Sequence, residues 1–140
     1  MADAFYDQYR NSIFGLQVHT FADLDTDNIK LILYDEGADA LDLTDQDLTD
    51  ILAGARIDTS ANVAGATVGT AAVGAFDHTN ETFVGVTGLQ FESLTYYKDS
   101  GAEATSPLLA NIDSATGLPM TPSGSDIIWQ PAGGGVWQIT

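Results

Sequence analysis

A chain of 140 residues, 44% hydrophobic and 9% aromatic, is long enough for a single domain with its own core and too apolar to be disordered. Twenty acids against four bases (Arg10, Lys30, Arg56 and Lys98) give a net charge of -16, a surface that repels phosphate and argues against nucleic acid and anionic membranes as partners. There is no cysteine, which removes disulfides, thiolate metal sites and a cysteine nucleophile.

The start, MADAFYDQYR, places acids where a secretory signal carries cations, and no apolar run approaches the roughly 20 residues of a membrane span. The expectation is a protein not exported by a cleavable signal. Within residues 1–15, Phe5, Tyr9 and Ile13 recur every four positions, with Tyr6 and Phe14 beside them, a helical stripe that Gly15 would close. This segment reads as a short helix, or as an arm that orders on a neighbour. Phe5, Tyr6 and Tyr9 are then its candidate contact residues.

Leu16 to Phe21 is weakly extended, and a polar loop follows. Asp23, Asp25 and Asp27 alternate as calcium-loop ligands do. As an EF-hand the loop fails, because Asn28 stands where the sharp turn needs glycine and Tyr34 where a bidentate glutamate is required. A solvated acidic loop is the plainer reading, so no metal or cofactor is expected. Ile29 to Tyr34 (IKLILY) predicts a buried strand. From Asp35 to Asp50 the chain is acidic, and Leu41, Leu48, Ile51 and Leu52 fit one helical face, with Thr44 and Asp47 resembling a capping box. That predicts a second short helix, its acids Asp42, Asp45, Asp47 and Asp50 facing solvent or a basic partner.

Arg56, a rare cation in so acidic a chain, is expected to pair with a carboxylate of its own subunit or of a neighbour. From Ala55 to Val86 small residues, valine, threonine and glycine predict short strands at Ala55–Thr59, Ala66–Val68, Val73–Asp77 and Thr82–Val86. Leu89 to Asp113 then reads as the hydrophobic centre, two strands joined by Lys98-Asp99-Ser100-Gly101. In the first, Leu89, Phe91, Ser93, Thr95 and Tyr97 share one face, and Leu94 and Tyr96 the other. Ile127–Trp129 and Val136–Thr140 are the last strands, with Gly133-Gly134-Gly135 as a hairpin turn between them.

No catalytic constellation stands out. His19 and His78 lack metal-ligand spacing, there is no Gly-x-Ser-x-Gly elbow, and carboxylate pairs among twenty acids carry no information. Trp129 and Trp137 read as core before they read as a ligand platform. The pattern predicts a single all-β domain over residues 1–140, an antiparallel β-sandwich or jelly-roll-like barrel with one or two short helices, and a role without catalysis.

Two segments carry a resemblance. Asp50-Ile51-Leu52-Ala53-Gly54-Ala55-Arg56-Ile57, with Thr59-Ser60, is one. The other runs from Tyr97-Lys98-Asp99-Ser100-Gly101 through Glu103 to Ala110 and on to Ile112-Asp113, Ala115 to Pro119 and Thr121-Pro122. With the Phe5-Tyr6-Asp7 start, the chain resembles a family of small proteins encoded among the virion structural genes of tailed bacteriophages. The resemblance implies a β-rich virion component, assembled in the host cytoplasm. From it we expect a capsid cement or decoration protein, a homo-oligomer (trimer favoured) bound to the major capsid protein. A neck or tail component, and a glycan- or receptor-binding module built on Trp129, Trp137 and Tyr96, are the alternatives.

Overall fold

The computed structural model describes residues 3–13, 24–70 and 72–138. In chain order the elements are β1 (Ala4–Phe5), α1 (Asp7–Ile13), β2 (Ile29–Tyr34), β3 (Arg56–Thr59), β4 (Thr67–Val68), β5 (Ala75–Asp77), β6 (Glu81–Phe83), β7 (Ser93–Lys98), β8 (Leu108–Ile112), β9 (Ile127–Trp129) and β10 (Trp137–Gln138). The protein is all-β and antiparallel, with α1 as its single α-helix among the described residues. Three sheets form: β1-β8-β7-β2-β3, β10-β5-β4 and β6-β9.

The five-stranded sheet is the frame because β2 and β7 are apolar on both faces. Alternation sends Ile29, Leu31 and Leu33 to one side with Leu94 and Tyr96, where Phe76 and Phe83 of the small sheets close over them. It sends Ile32, Tyr34 and Tyr97 to the other, where Leu48, Ile51 and Ala55 cover them together with Tyr6 and Leu108. Each fully buried leucine or isoleucine contributes roughly 1.5–3 kcal/mol of transfer free energy. Apolar layers on both faces of the sheet explain why these six-residue strands hold the centre, with Ser93 and Thr95 the buried polar residues of β7.

The link between β7 and β8 is longer than the predicted turn at 98–101: it runs over residues 99–107 and includes a 3-10 turn at Glu103–Thr105. β7 and β8 pair from Leu94↔Ile112 to Tyr97↔Leu108, with Leu109 as the extra residue of a bulge. Gly101 takes the positive φ of +89° that the turn demands, and Asp99 accepts its N–H at 2.9 Å.

Four expectations are corrected. β7 begins at Ser93, not Leu89. Leu89 is 65% exposed, and Phe91 leaves the Thr95/Tyr97 face to pair with Met120 and join the Leu94/Tyr96 core. The acidic segment is not an α-helix. Its aspartates satisfy the backbone N–H groups that a helix would use: Asp35 accepts from Gly37 and Ala38, Asp42 from Thr44, Asp47 from Thr49, and Asp50 from Gln46. A 3-10 turn at Leu48–Asp50 results, and its capping box is Asp47 with Asp50, not Thr44 with Asp47. Gly133 to Gly135 is not a hairpin turn, since β9 pairs with β6 and β10 with β5. Gly135 lies at φ +97° against β5, where a Cβ would sit 2.8 Å from the Phe76 carbonyl oxygen. Finally, residues 1–15 contribute a strand as well as a helix, with Ala4↔Asn111 and Phe5↔Ala110 paired ahead of α1.

Among the described residues no helix is long and apolar enough to cross a membrane. Gly15, residues 16–21 and His19 lie outside the described residues.

Candidate functional site

The N-terminal contact candidates are folded onto their own chain. Tyr6 is fully buried under the sheet, its hydroxyl 3.4 Å from Thr95 Oγ1. Thr95 in turn accepts from Asn111 Nδ2 at 3.0 Å, which also donates to Ser93 Oγ at 2.8 Å, so a seam of small polar groups lies beneath Tyr6. Tyr9 is buried in the other apolar cluster, in ring contact with Phe5 (5.5 Å) and Trp137 (6.5 Å). Phe5 is half-buried and meets Trp137 edge-on at 5.9 Å. Of the predicted helical stripe, Tyr6 and Tyr9 are core residues, Phe5 belongs to β1 instead of the helix, and Phe14 lies outside the described residues.

Arg56 makes an ion pair within the subunit. Its Nη1 donates to Glu103 at 2.8 Å, its Nε to the Ile51 carbonyl at 3.1 Å, and its Nη2 to the carbonyls of Ile51 and Leu48. The guanidinium fork thus holds the 48–51 turn against the 103–105 turn. Lys30 pairs with Asp99 at 2.7 Å, Lys98 with Asp27 at 3.1 Å, and Arg10 with Asp7. Each of the four cations is held by an acid of its own chain.

Of the loop aspartates, Asp23 lies outside the described residues, Asp25 is exposed and Asp27 is held by Lys98. Among the described residues no three His, Asp or Glu side chains are grouped so as to hold a metal ion.

The buried polar centre is one that the sequence did not signal. His78, between β5 and β6, is buried with Nδ1 2.6 Å from the Thr79 carbonyl and Nε2 2.7 Å from the Tyr96 hydroxyl. A carbonyl only accepts, so Nδ1 carries the proton and Nε2 accepts from Tyr96. The same hydroxyl accepts from Trp129 Nε1 at 2.6 Å. The chain Trp129 N–H, Tyr96 O–H, His78, Thr79 carbonyl is closed and neutral. Burial lowers the His78 pKa and raises that of Tyr96 well above the phenol range, which keeps both groups uncharged. Trp137 packs edge-on to Tyr96 at 5.0 Å and stacks on Phe76 at 4.7 Å. Tyr96 is buried, and the half-buried Trp129 and Trp137 pack against it. This network ties three sheets together.

Two surface features remain. The segment 35–50 carries seven acids and no base, and its Asp45 has a pKa pushed up to about 6, first by burial and then by Asp42, Asp50 and Asp39. An open groove of about 640 Å³ runs beside β9, lined by Ile112, Ser114, Trp129, Gln130 and Val136, with Asp3 at one end. The Asp3 carboxylate accepts from the backbone N–H groups of Asp113 and Ser114 and from Ser114 Oγ, so it caps the end of β8. The chain matches no protein-family model and no curated protein.

Proposed function

We infer that this chain is a virion structural protein of a tailed bacteriophage, most simply a capsid cement or decoration protein that binds the shell of the major capsid protein as a homo-oligomer. The carrying observation is the concentration of acids in segment 35–50. Segment 35–50 carries seven acids; Asp35 is buried, while Asp42, Asp47 and Asp50 are held in short hydrogen-bonded turns, a surface suited to a basic rim on a protein shell. Turns fixed in this way lose little further entropy on docking, which favours a tight passive contact. The likeness noted above supports the class of partner; its longest segment, Tyr97 to Pro122, takes in the last two residues of β7 and all of β8. The two apolar layers on one sheet support describing the fold as sandwich-like.

The test is a copy count in the assembled particle together with its map. Copies in the hundreds on the outer shell are expected, with residues 35–50 against the major capsid protein. A ring of about six or twelve copies at a vertex would assign the chain to the neck or tail instead. Glycan binding by the isolated protein would overturn both in favour of a receptor-binding module.

A further inference from the structure

Charge is unevenly divided over this molecule. Residues 59–91 and 114–138, which supply β4, β5, β6, β9 and β10, hold three of the twenty acids and none of the four bases. Of those three, Glu81 is buried, Asp77 bonds the His78 N–H at 2.9 Å and Asp126 bonds the Gly85 N–H at 2.9 Å. Five of the six large apolar residues exposed among the described residues lie in these same segments.

Two of the five, Val84 and Ile128, lie at the β6–β9 ribbon. Thr82 and Ile128 are directly opposed on its outer face, Ile128 at 63% exposure, and Val84, two residues on from Thr82, is 75% exposed. Ile128 also lines the groove beside β9, whose wall continues through Trp129 and Pro131 to Val136; its one acid is Asp3, whose carboxylate is held by the N–H groups of Asp113 and Ser114 and by Ser114 Oγ. We propose that this outer face of β6 and β9, with the adjoining groove, is where a second copy of the chain docks.

The electrostatics select that occupant. Identical copies bring identical charges, and at ordinary salt acids within about 10 Å of one another repel. Every lysine and arginine is already paired with an acid of its own chain, so a copy has no uncommitted cation to set against its neighbour's acids. Copies can therefore meet where acids are sparse and apolar side chains protrude, which is the β6–β9 face. A basic heterologous partner finds its complement elsewhere, on segment 35–50. The proposal deepens the homo-oligomer part of the reading above and does not depend on which shell the oligomer binds.

Light scattering and sedimentation on the purified full chain test it, over a range of protein concentration and from about 0.05 M to about 1 M NaCl. The wild type is expected to be an oligomer that tightens as salt rises. Ile128→Asp, alone and with Val84→Asp, should weaken assembly at least about tenfold, toward the monomer mass. Leu52→Asp, at an exposed leucine in the acid-rich part, should leave the mass unchanged. Circular dichroism confirms folding, and the single variant carries the test if the double variant is unfolded. A wild type that is monomeric throughout, an oligomer indifferent to Ile128→Asp, or one that salt dissociates would each overturn the assignment. A monomer that still binds particles would spare the shell reading; an oligomer dissolved by the variant but silent toward particles would spare this interface and remove the shell.

Discussion

Tyr96 is the residue whose environment is most constrained. Its hydroxyl donates to His78 Nε2 and accepts from Trp129 Nε1, and its ring lies edge-on to Phe76 and Trp137. Replacing it with phenylalanine keeps the ring but strands an indole N–H and an imidazole lone pair in the interior. Tyr96→Phe is expected to lower unfolding stability by about 1–3 kcal/mol in urea titrations at pH 7. Unchanged stability would mean that water satisfies both groups. His78 gives the network a pH signature. Its folded pKa lies below the unfolded value near 6.5, so the unfolded chain binds more protons, and its contribution is complete above about pH 6.5 and lost as pH falls. In the sequence Tyr96 was legible as core, because it alternates with Leu94. His78 was not, because a single histidine beside an aspartate looks the same whether it points out or in.

At the scale of elements, the acidic segment shows local chemistry overriding a periodic pattern. Leu41, Leu48 and Ile51 do reach one apolar cluster, as the helical reading required, but Leu52 is 59% exposed. The backbone between them is a string of aspartate-closed turns. Asp45 is the member of this string with no hydrogen bond to relieve it, which is why burial and its three acidic neighbours raise its pKa. A folded pKa above the unfolded one means that ionised Asp45 opposes folding. The penalty is absent below about pH 4 and complete above about pH 6. Asp45→Asn should therefore stabilise the protein at pH 7 by on the order of 1 kcal/mol after allowing for solvent screening, with no gain at pH 3.5. A gain equal at both pH values would refute the assignment. Arg56 belongs to the same scale. Its ion pair was legible from its rarity, whereas the carbonyls of Leu48 and Ile51 became its partners only once the turn at 48–50 formed.

Over the whole molecule, a net charge of -16 with every cation committed internally leaves long-range repulsion as the main electrostatic cost of folding. Raising NaCl from about 0.05 M to about 0.5 M should raise the melting temperature by a few degrees, because screening shortens the reach of like charges. A fall would mean that the four ion pairs outweigh the repulsion. The N-terminal segment matters at this scale too. Tyr6 and Tyr9 are core residues, so removing the segment before Gly15 would unfold the protein, and loss of particle binding in that deletion would report on stability before it reported on an arm.

What the sequence determined by itself was whatever depends on neighbours along the chain. The two-faced apolar run of β2, the alternation through β7, the Gly101 turn, the excess of acid and the all-β class all follow from spacing and composition. The tertiary structure decided what depends on partners far away. β1 pairs Ala4 with Asn111, and β10 joins β5 instead of hairpinning onto β9. The face on which each loop closes is of the same kind. Strands of two or three residues carry too little pattern to name their neighbours, because their pairing is set by which apolar surface remains uncovered once the central sheet has formed. The histidine–tyrosine–tryptophan network and the neutral face of β6 and β9 arise from that same closure, and for that reason neither was visible before it.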